Sequence, residues 1–251
     1  MNLTITWLGH ASFKIQDHNG TVVYIDPWIV DNPSCAIPLD EINDAHIVCV
    51  THGHFDHFGD SLDIVKRTGA KLVCSPDIGW YAHSKGVERE KESITMDIGG
   101  TIQVENIRIS MVQAIHTCEL YGEEWKAEKT ILPGGGACGY VFNFSDSGSS
   151  SDLSLYYAGD TDVFADMKTI AELYQPHISI LPIGDKYTMG FRGAALAADW
   201  LRSKVVIPMH FGTFPALEQD PHQYARLVQE KAPDIKVVIL KPGETYTWPG
   251  A

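Results

Sequence analysis

The segment that most constrains this chain is THGHFDHFGD at residues 51–60, where His52, His54, Asp56 and His57 crowd into six residues directly behind the apolar run at 46–51. Packing gives no reason to gather groups that cost so much to take out of water. Imidazole and carboxylate together suit zinc, manganese or iron, and Gly53 and Gly59 let a short loop turn sharply enough for the side chains to converge. One ion takes about three or four protein ligands, so two histidines followed by an Asp-His pair read as parts of two sites. The remaining ligands should then stand at the ends of other strands, as they do in open α/β sheets. They do: the apolar run 109–115 ends at His116, 153–159 at Asp160, and 205–209 at His210.

Around these ends the chain alternates strand-like and helix-like segments. Strands are expected at 3–8, 12–16, 21–26, 46–51, 71–75, 106–115, Cys138–Phe144, 153–158, 177–182, 205–208 and 236–240. Helices are expected at Ser61–Thr68, 163–174, 194–201 and Pro221–Lys231, the last with Asp220 as N-cap ahead of Pro221. The one low-complexity stretch, SDSGSSSD at 145–152, reads as a hairpin tip and not as a linker, so residues 1–251 read as one α/β domain.

Composition then excludes several classes. With 44% hydrophobic residues, the chain still has no apolar run near the roughly 18 needed to cross a bilayer, and no basic-then-apolar leader. A soluble cytoplasmic protein is expected. The net charge of −13, without a basic stripe, makes nucleic acid an unfavourable partner. Five cysteines lacking any C-x-x-C pair read as reduced packing residues, Cys118 included. No heptad or single interface patch fixes the oligomeric state, and a homo-oligomer stays open.

TWLGHASF, YIDPW, THGHFDHFGD, YYAGDTDVF, LPIGDKYTMG and VIPMHFGTFP span nearly the whole chain. In combination they resemble the metallo-β-lactamase superfamily, and within it the metal-dependent hydrolase branch that includes L-ascorbate-6-phosphate lactonase-like proteins. The resemblance implies an αββα sandwich and two divalent ions, zinc or manganese, with iron also acceptable. Carried over residue by residue, His52, His54 and His116 would hold the first ion, Asp56, His57 and His210 the second, and Asp160 would bridge. Two ions about 3.5 to 4 Å apart can share a water and deliver hydroxide to carbon or phosphorus. The expected reaction is hydrolysis of a small ester, lactone or phosphorylated metabolite, with Asp56 as the catalytic residue that orients the hydroxide or takes its proton. A nuclease or phosphodiesterase of the same superfamily is one alternative, weakened by the acidic charge. A metal-binding regulatory protein without turnover is another, weakened by the intact ligand set.

Smaller signals carry two readings each. His10 stands near the metal pocket in relatives, or makes a hydrogen bond that stabilises its turn. Asp26 either supports a ligating histidine or caps its loop. Asp185, Lys186 and Tyr187 follow a strand end and would line the pocket mouth, where Lys186 could attract an anionic substrate, or they form a solvated loop. Lys186 and Phe191-Arg192-Gly193 depart from the residues that relatives carry there, so they are the places where specificity would differ.

Overall fold

The computed structural model describes residues 2–145 and 152–249. The first hundred residues supply strands β1 (Leu3–Gly9), β2 (Ser12–Asp17), β3 (Val22–Ile25), β4 (Ile47–Cys49), β5 (Lys71–Cys74) and β6 (Ser93–Thr95), with helices α1 (Phe55–Phe58), α2 (Ser61–Thr68) and α3 (Pro76–Ser84). A second strand-then-helix series follows: β7 (Thr101–Val104), β8 (Ile107–Gln113), then β9 (Glu119–Leu120) and β10 (Leu132–Pro133) around α4 (Glu123–Glu128). It continues with β11 (Cys138–Phe144), β12 (Leu153–Tyr157), α5 (Met167–Tyr174), β13 (Ile178–Pro182), α6 (Phe191–Leu201), β14 (Val205–Met209), α7 (Pro221–Lys231), β15 (Lys236–Val237) and β16 (Thr245–Trp248).

These form two seven-stranded sheets, ordered β16-β1-β2-β3-β4-β5-β6 and β15-β14-β13-β12-β11-β8-β7. Each is antiparallel along one half and parallel along the other, from β3 to β6 in the first and from β12 to β15 in the second. Residues such as Leu3, Ile5, Phe13, Tyr140, Phe142 and Ile180 fill the space between the sheets. The outer face of the first sheet is covered by Ile64, Val65 and Tyr81 from its helices, and that of the second by Met167, Ala194 and Tyr224. The layers are therefore αββα, as the resemblance implies. β11 and β12 are buried along their whole length, which is why they read as largely apolar runs, whereas β1 alternates buried Leu3, Ile5 and Trp7 with half-buried Thr4 and Thr6.

Local chemistry accounts for most boundaries. Asp220 caps α7 by accepting the His222 N–H at 2.9 Å, and Gly69 ends α2 in the left-handed region at φ 75°. The expected strand 236–240 shortens to Lys236–Val237, with one further bond from the Val238 N–H to Val206 O at 2.9 Å, because it lies at the edge and its chain soon turns at Gly243. The expected helix 163–174 starts later, at Met167, because Met167 N–H closes a turn on Phe164 O. The antiparallel β11–β12 pair runs to Phe144 and Leu153, and the tip expected between them, at 146–151, lies outside the described residues. Every cysteine is described, and all five are free. No helix among the described residues is long and apolar enough to cross a membrane.

Candidate metal centre

Because β4, β12 and β14 belong to parallel halves, their carboxyl ends all open at one edge of the sandwich, where the ends of β1, β3 and β8 join them. The loop after β4 starts from Asp26, whose carboxylate accepts both the Thr51 N–H at 2.8 Å and the Thr51 hydroxyl at 2.7 Å. Gly53 then passes so close to β9 that a Cβ there would lie 2.7 Å from Glu119 O and Leu120 Cα. The single turn of α1 follows, and it sets Asp56 and His57 on successive positions behind His54.

The seven expected ligands meet here, and His10 meets them. Their donor atoms form three groups, each within 4.8 Å: His52, His54 and His116; His10, Asp56, His57 and His210; and His52, His57 and Asp160. In the first group His54 Nδ1 lies 3.0 Å from His52 Nε2 and 3.3 Å from His116 Nε2. Asp160 stands between groups, with Oδ1 3.3 Å from His57 Nε2, and Oδ2 3.1 Å from His210 Nε2 and 3.7 Å from His116 Nε2.

The backbone and the ring of His10 make separate contacts. Its carbonyl accepts the Trp7 indole N–H at 2.9 Å and the His210 N–H at 3.0 Å, fixing the turn. Its ring spans the site, Nε2 at 2.9 Å from Asp56 Oδ2 and Nδ1 at 2.9 Å from Thr213 Oγ1. Asp26 likewise supports a candidate ligand, with Oδ2 at 2.8 Å from His57 Nδ1 and 3.0 Å from the Tyr157 hydroxyl. Sequence reasoning missed two further supports, Glu119 Oε2 at 3.0 Å from His54 Nε2 and Thr51 Oγ1 at 3.0 Å from His52 Nδ1. Glu119 stands three residues past His116, and that spacing was its only trace in the sequence. In each case one ring nitrogen is held from outside and the other turned inward, the arrangement that orients metal-binding imidazoles.

The donor set fits divalent cations. His57 Nε2, His210 Nε2 and Asp160 Oδ1 are buried without a hydrogen-bond partner, and a buried polar atom left so costs about 1–3 kcal/mol. Burial, reinforced by His57, lowers the His52 pKa well below the ordinary imidazole value; burial and then His210 lower that of His10 to about 4. Burial opposes ionisation of Asp160, but His210 and His57 outweigh it and hold the carboxyl well below its usual range. His57 goes the other way: burial favours its neutral form, yet Asp160 and Asp26 together raise it well above 6.5. Two carboxylates on one buried ring mark a place where positive charge is wanted.

A cavity of about 610 Å³ opens over the cluster, walled by Phe55, Tyr121, Ile131, Tyr187, Phe214 and Leu217. Of the expected mouth residues only Tyr187 lines it. Asp185, at φ 66°, directs its carboxylate beside Gly190, and the Lys186 ammonium lies 5.2 Å from the Tyr187 ring centre; both side chains are exposed. A larger cavity, about 800 Å³, opens beside His177, Trp200 and Lys204 at the other ends of β13 and β14, and holds none of the cluster.

The β-lactamase superfamily domain matches residues 4–210. The chain is 43% identical over 245 residues to a UPF0173 metal-dependent hydrolase of Koribacter versatilis, covering 98% of each. This chain belongs to the UPF0173 metal-dependent hydrolase family. A relative from Methanopyrus kandleri is 46% identical over 244 residues, 97% of this chain and 99% of the relative. The metallo hydrolase Igni18 of Ignicoccus hospitalis superposes with a TM-score of 0.83 at 34% identity over the whole of both chains. As a UPF0173 member the chain is an enzyme, a metal-dependent hydrolase of the metallo-β-lactamase fold, and the reading as a regulatory protein without turnover falls away.

Proposed function

We propose that the enzyme hydrolyses a small ester or lactone at this centre, with His52, His54 and His116 holding one divalent ion, Asp56, His57 and His210 a second, and Asp160 between them. Zinc and manganese both suit this set of imidazoles and carboxylates. The observation that carries the reading is a pair of buried ring nitrogens turned on one carboxylate, His57 Nε2 at 3.3 Å from Asp160 Oδ1 and His210 Nε2 at 3.1 Å from Asp160 Oδ2, neither in a well-formed hydrogen bond. When bound, the ions supply Lewis acidity toward the substrate oxygen and an activated water.

The protein's own part is to hold and orient. Burial alone would raise the Asp56 carboxyl, but the hydrogen bond from His10 and the charge of the neighbouring imidazoles outweigh it and keep Asp56 ionised. A carboxylate so weakly basic orients the attacking water better than it retains a proton, and His10 fixes which of its oxygens is free to do so. A cytoplasmic setting is supported by the five free cysteines.

The test begins with protein purified without chelator from metal-supplemented medium. Elemental analysis should find two ions per chain; fewer than one refutes the binuclear centre. A screen over lactones, carboxylic esters, phosphodiesters and short RNA should find turnover of carbon esters, and activity on RNA alone refutes the substrate class. Asp56→Ala should abolish turnover, and a retained rate with both metals bound removes Asp56 from the chemistry.

A further inference from the structure

We infer that the cavity over the centre accepts esters whose remaining part is apolar and uncharged, an aryl or medium alkyl group bearing no phosphate, carboxylate or ammonium. This rests on the reading of the cluster as the hydrolytic centre. Among the described residues that line the cavity there is no lysine or arginine, and the charged side chains present are Asp56, Glu119 and Asp160. A phosphate or carboxylate attached away from the reacting bond would lose its water with no cation to meet it, and would face the Glu119 carboxylate. Lys186 does not supply the missing charge, since its side chain lies outside the lining, against the Tyr187 ring.

The walls give the positive side of the argument. Phe55, Ile131 and Tyr187 are 43, 47 and 56% exposed, and all three line this one cavity. Large apolar groups left open to water around a concave site are the mark of an apolar ligand. Phe55 also belongs to a continuous aromatic wall. Tyr121 and Phe55 meet edge to face at 6.4 Å, Phe55 and Trp28 at 5.5 Å, and Trp28 stacks on Phe214 at 5.8 Å. Trp28 is buried, so its neighbours are held in place before any ligand arrives.

The test uses three 4-nitrophenyl esters of similar length: the hexanoate, the adipate half-ester and the 6-aminohexanoate, each assayed with the metal-loaded enzyme. The hexanoate should show a kcat/KM at least about tenfold above both charged esters. Ile131→Lys, at the exposed wall, should raise the adipate half-ester relative to the hexanoate without changing metal content. Turnover with either charged ester equal to or better than the hexanoate overturns the inference and leaves the hydrolase reading standing. If none of the three esters is turned over, the ester reading of the centre fails, and the cavity is judged by binding alone. Equilibrium dialysis of the metal-free chain should then find 4-phenylbutyramide held at least about tenfold more tightly than 4-phenylbutyrate; equal or weaker binding of the amide overturns the inference.

Discussion

Replacing Asp26 by Asn should loosen the metal centre from a distance. Asp26 is fully buried and accepts four hydrogen bonds, from the Thr51 N–H and hydroxyl, His57 Nδ1 and the Tyr157 hydroxyl. Its φ of 46° lies in the left-handed region, which Asn adopts readily, so Asn changes the chemistry without the backbone strain that Ala would add. In the variant Oδ1 still accepts the Thr51 N–H, but an NH₂ group replaces the oxygen that served three donors. Tyr157 can give its proton wholly to Ala11 O, 2.6 Å away, and the Thr51 hydroxyl can rotate. His57 cannot adapt so freely. It must either lose its bond or give up the Nδ1 proton and keep only the one on Nε2, the atom that faces Asp160. One bond to a charged acceptor is therefore lost, about 2 kcal/mol, which for a chain of this length lowers Tm by about 4–8 °C. Metal affinity should fall about 10–100-fold. Thermal melts of the metal-free chain and competition against a fluorescent chelator measure the two effects. A Tm within about 1 °C and an affinity within about twofold of the parent would refute the reasoning and leave Asp26 a loop cap.

Three further outcomes follow from other parts of the molecule. Gly53→Ala should cost about 1–3 kcal/mol and lower metal content, since its Cβ would press on the Glu119 and Leu120 backbone, whereas Gly136→Ala, with open space around it, should stay within about 0.5 kcal/mol in the same denaturation series. Stripping divalent ions with a chelator should lower Tm, and restoring zinc or manganese at about 1,000 times Kd should return about 4 kcal/mol of stability; a Tm blind to both metals contradicts the centre. The Lys85 ammonium, with backbone and Tyr81 hydrogen bonds, holds the Glu124 carboxyl down to about 2 from its usual 4.5. Because the folded pKa is the lower one, the stability it contributes is present above pH 4.5 and fades as pH falls toward 2. Lys85→Met should move the Glu124 midpoint, read by NMR titration, back toward the ordinary value.

The sites that sequence exposed best were those written into one run of residues. An apolar strand that stops at His116, Asp160 or His210 states both the strand and the polar end, so the convergence of seven side chains could be read before any coordinate. The αββα layers are legible only through the family resemblance, whereas the burial of β11 and β12 on both faces shows as largely apolar runs, broken by Asn143 and Ser154. What sequence could not show was direction across a gap. Glu119 reaches His54 only because β9 folds back over Gly53, and His10 meets Asp56 only because β1 and β4 run the same way in the first sheet and end at one edge. The loop after β13 shows the converse. Its place at the mouth was legible, but which of three neighbouring side chains turns inward is set by the left-handed Asp185, and only Tyr187 does. Helix α3 went unseen although Ser75-Pro76-Asp77 marks its start, because its apolar positions lack a clear stripe.

The His210 N–H donates to the His10 carbonyl at 3.0 Å, joining the end of a strand in one sheet to the end of a strand in the other. Both residues are held in left-handed backbone, φ 56° and 60°, a conformation that costs about 1–2 kcal/mol each and must be repaid by closure. Each of the donor groups also draws on both halves of the chain: His52 and His54 need His116, Asp56 and His57 need His210, and His52 and His57 need Asp160. Neither sheet owns a site. For the proposed centre, metal affinity would gauge how tightly the two sheets are apposed, and a void opened deep between them, at Phe142 for instance, should register in metal affinity before it registers at the surface.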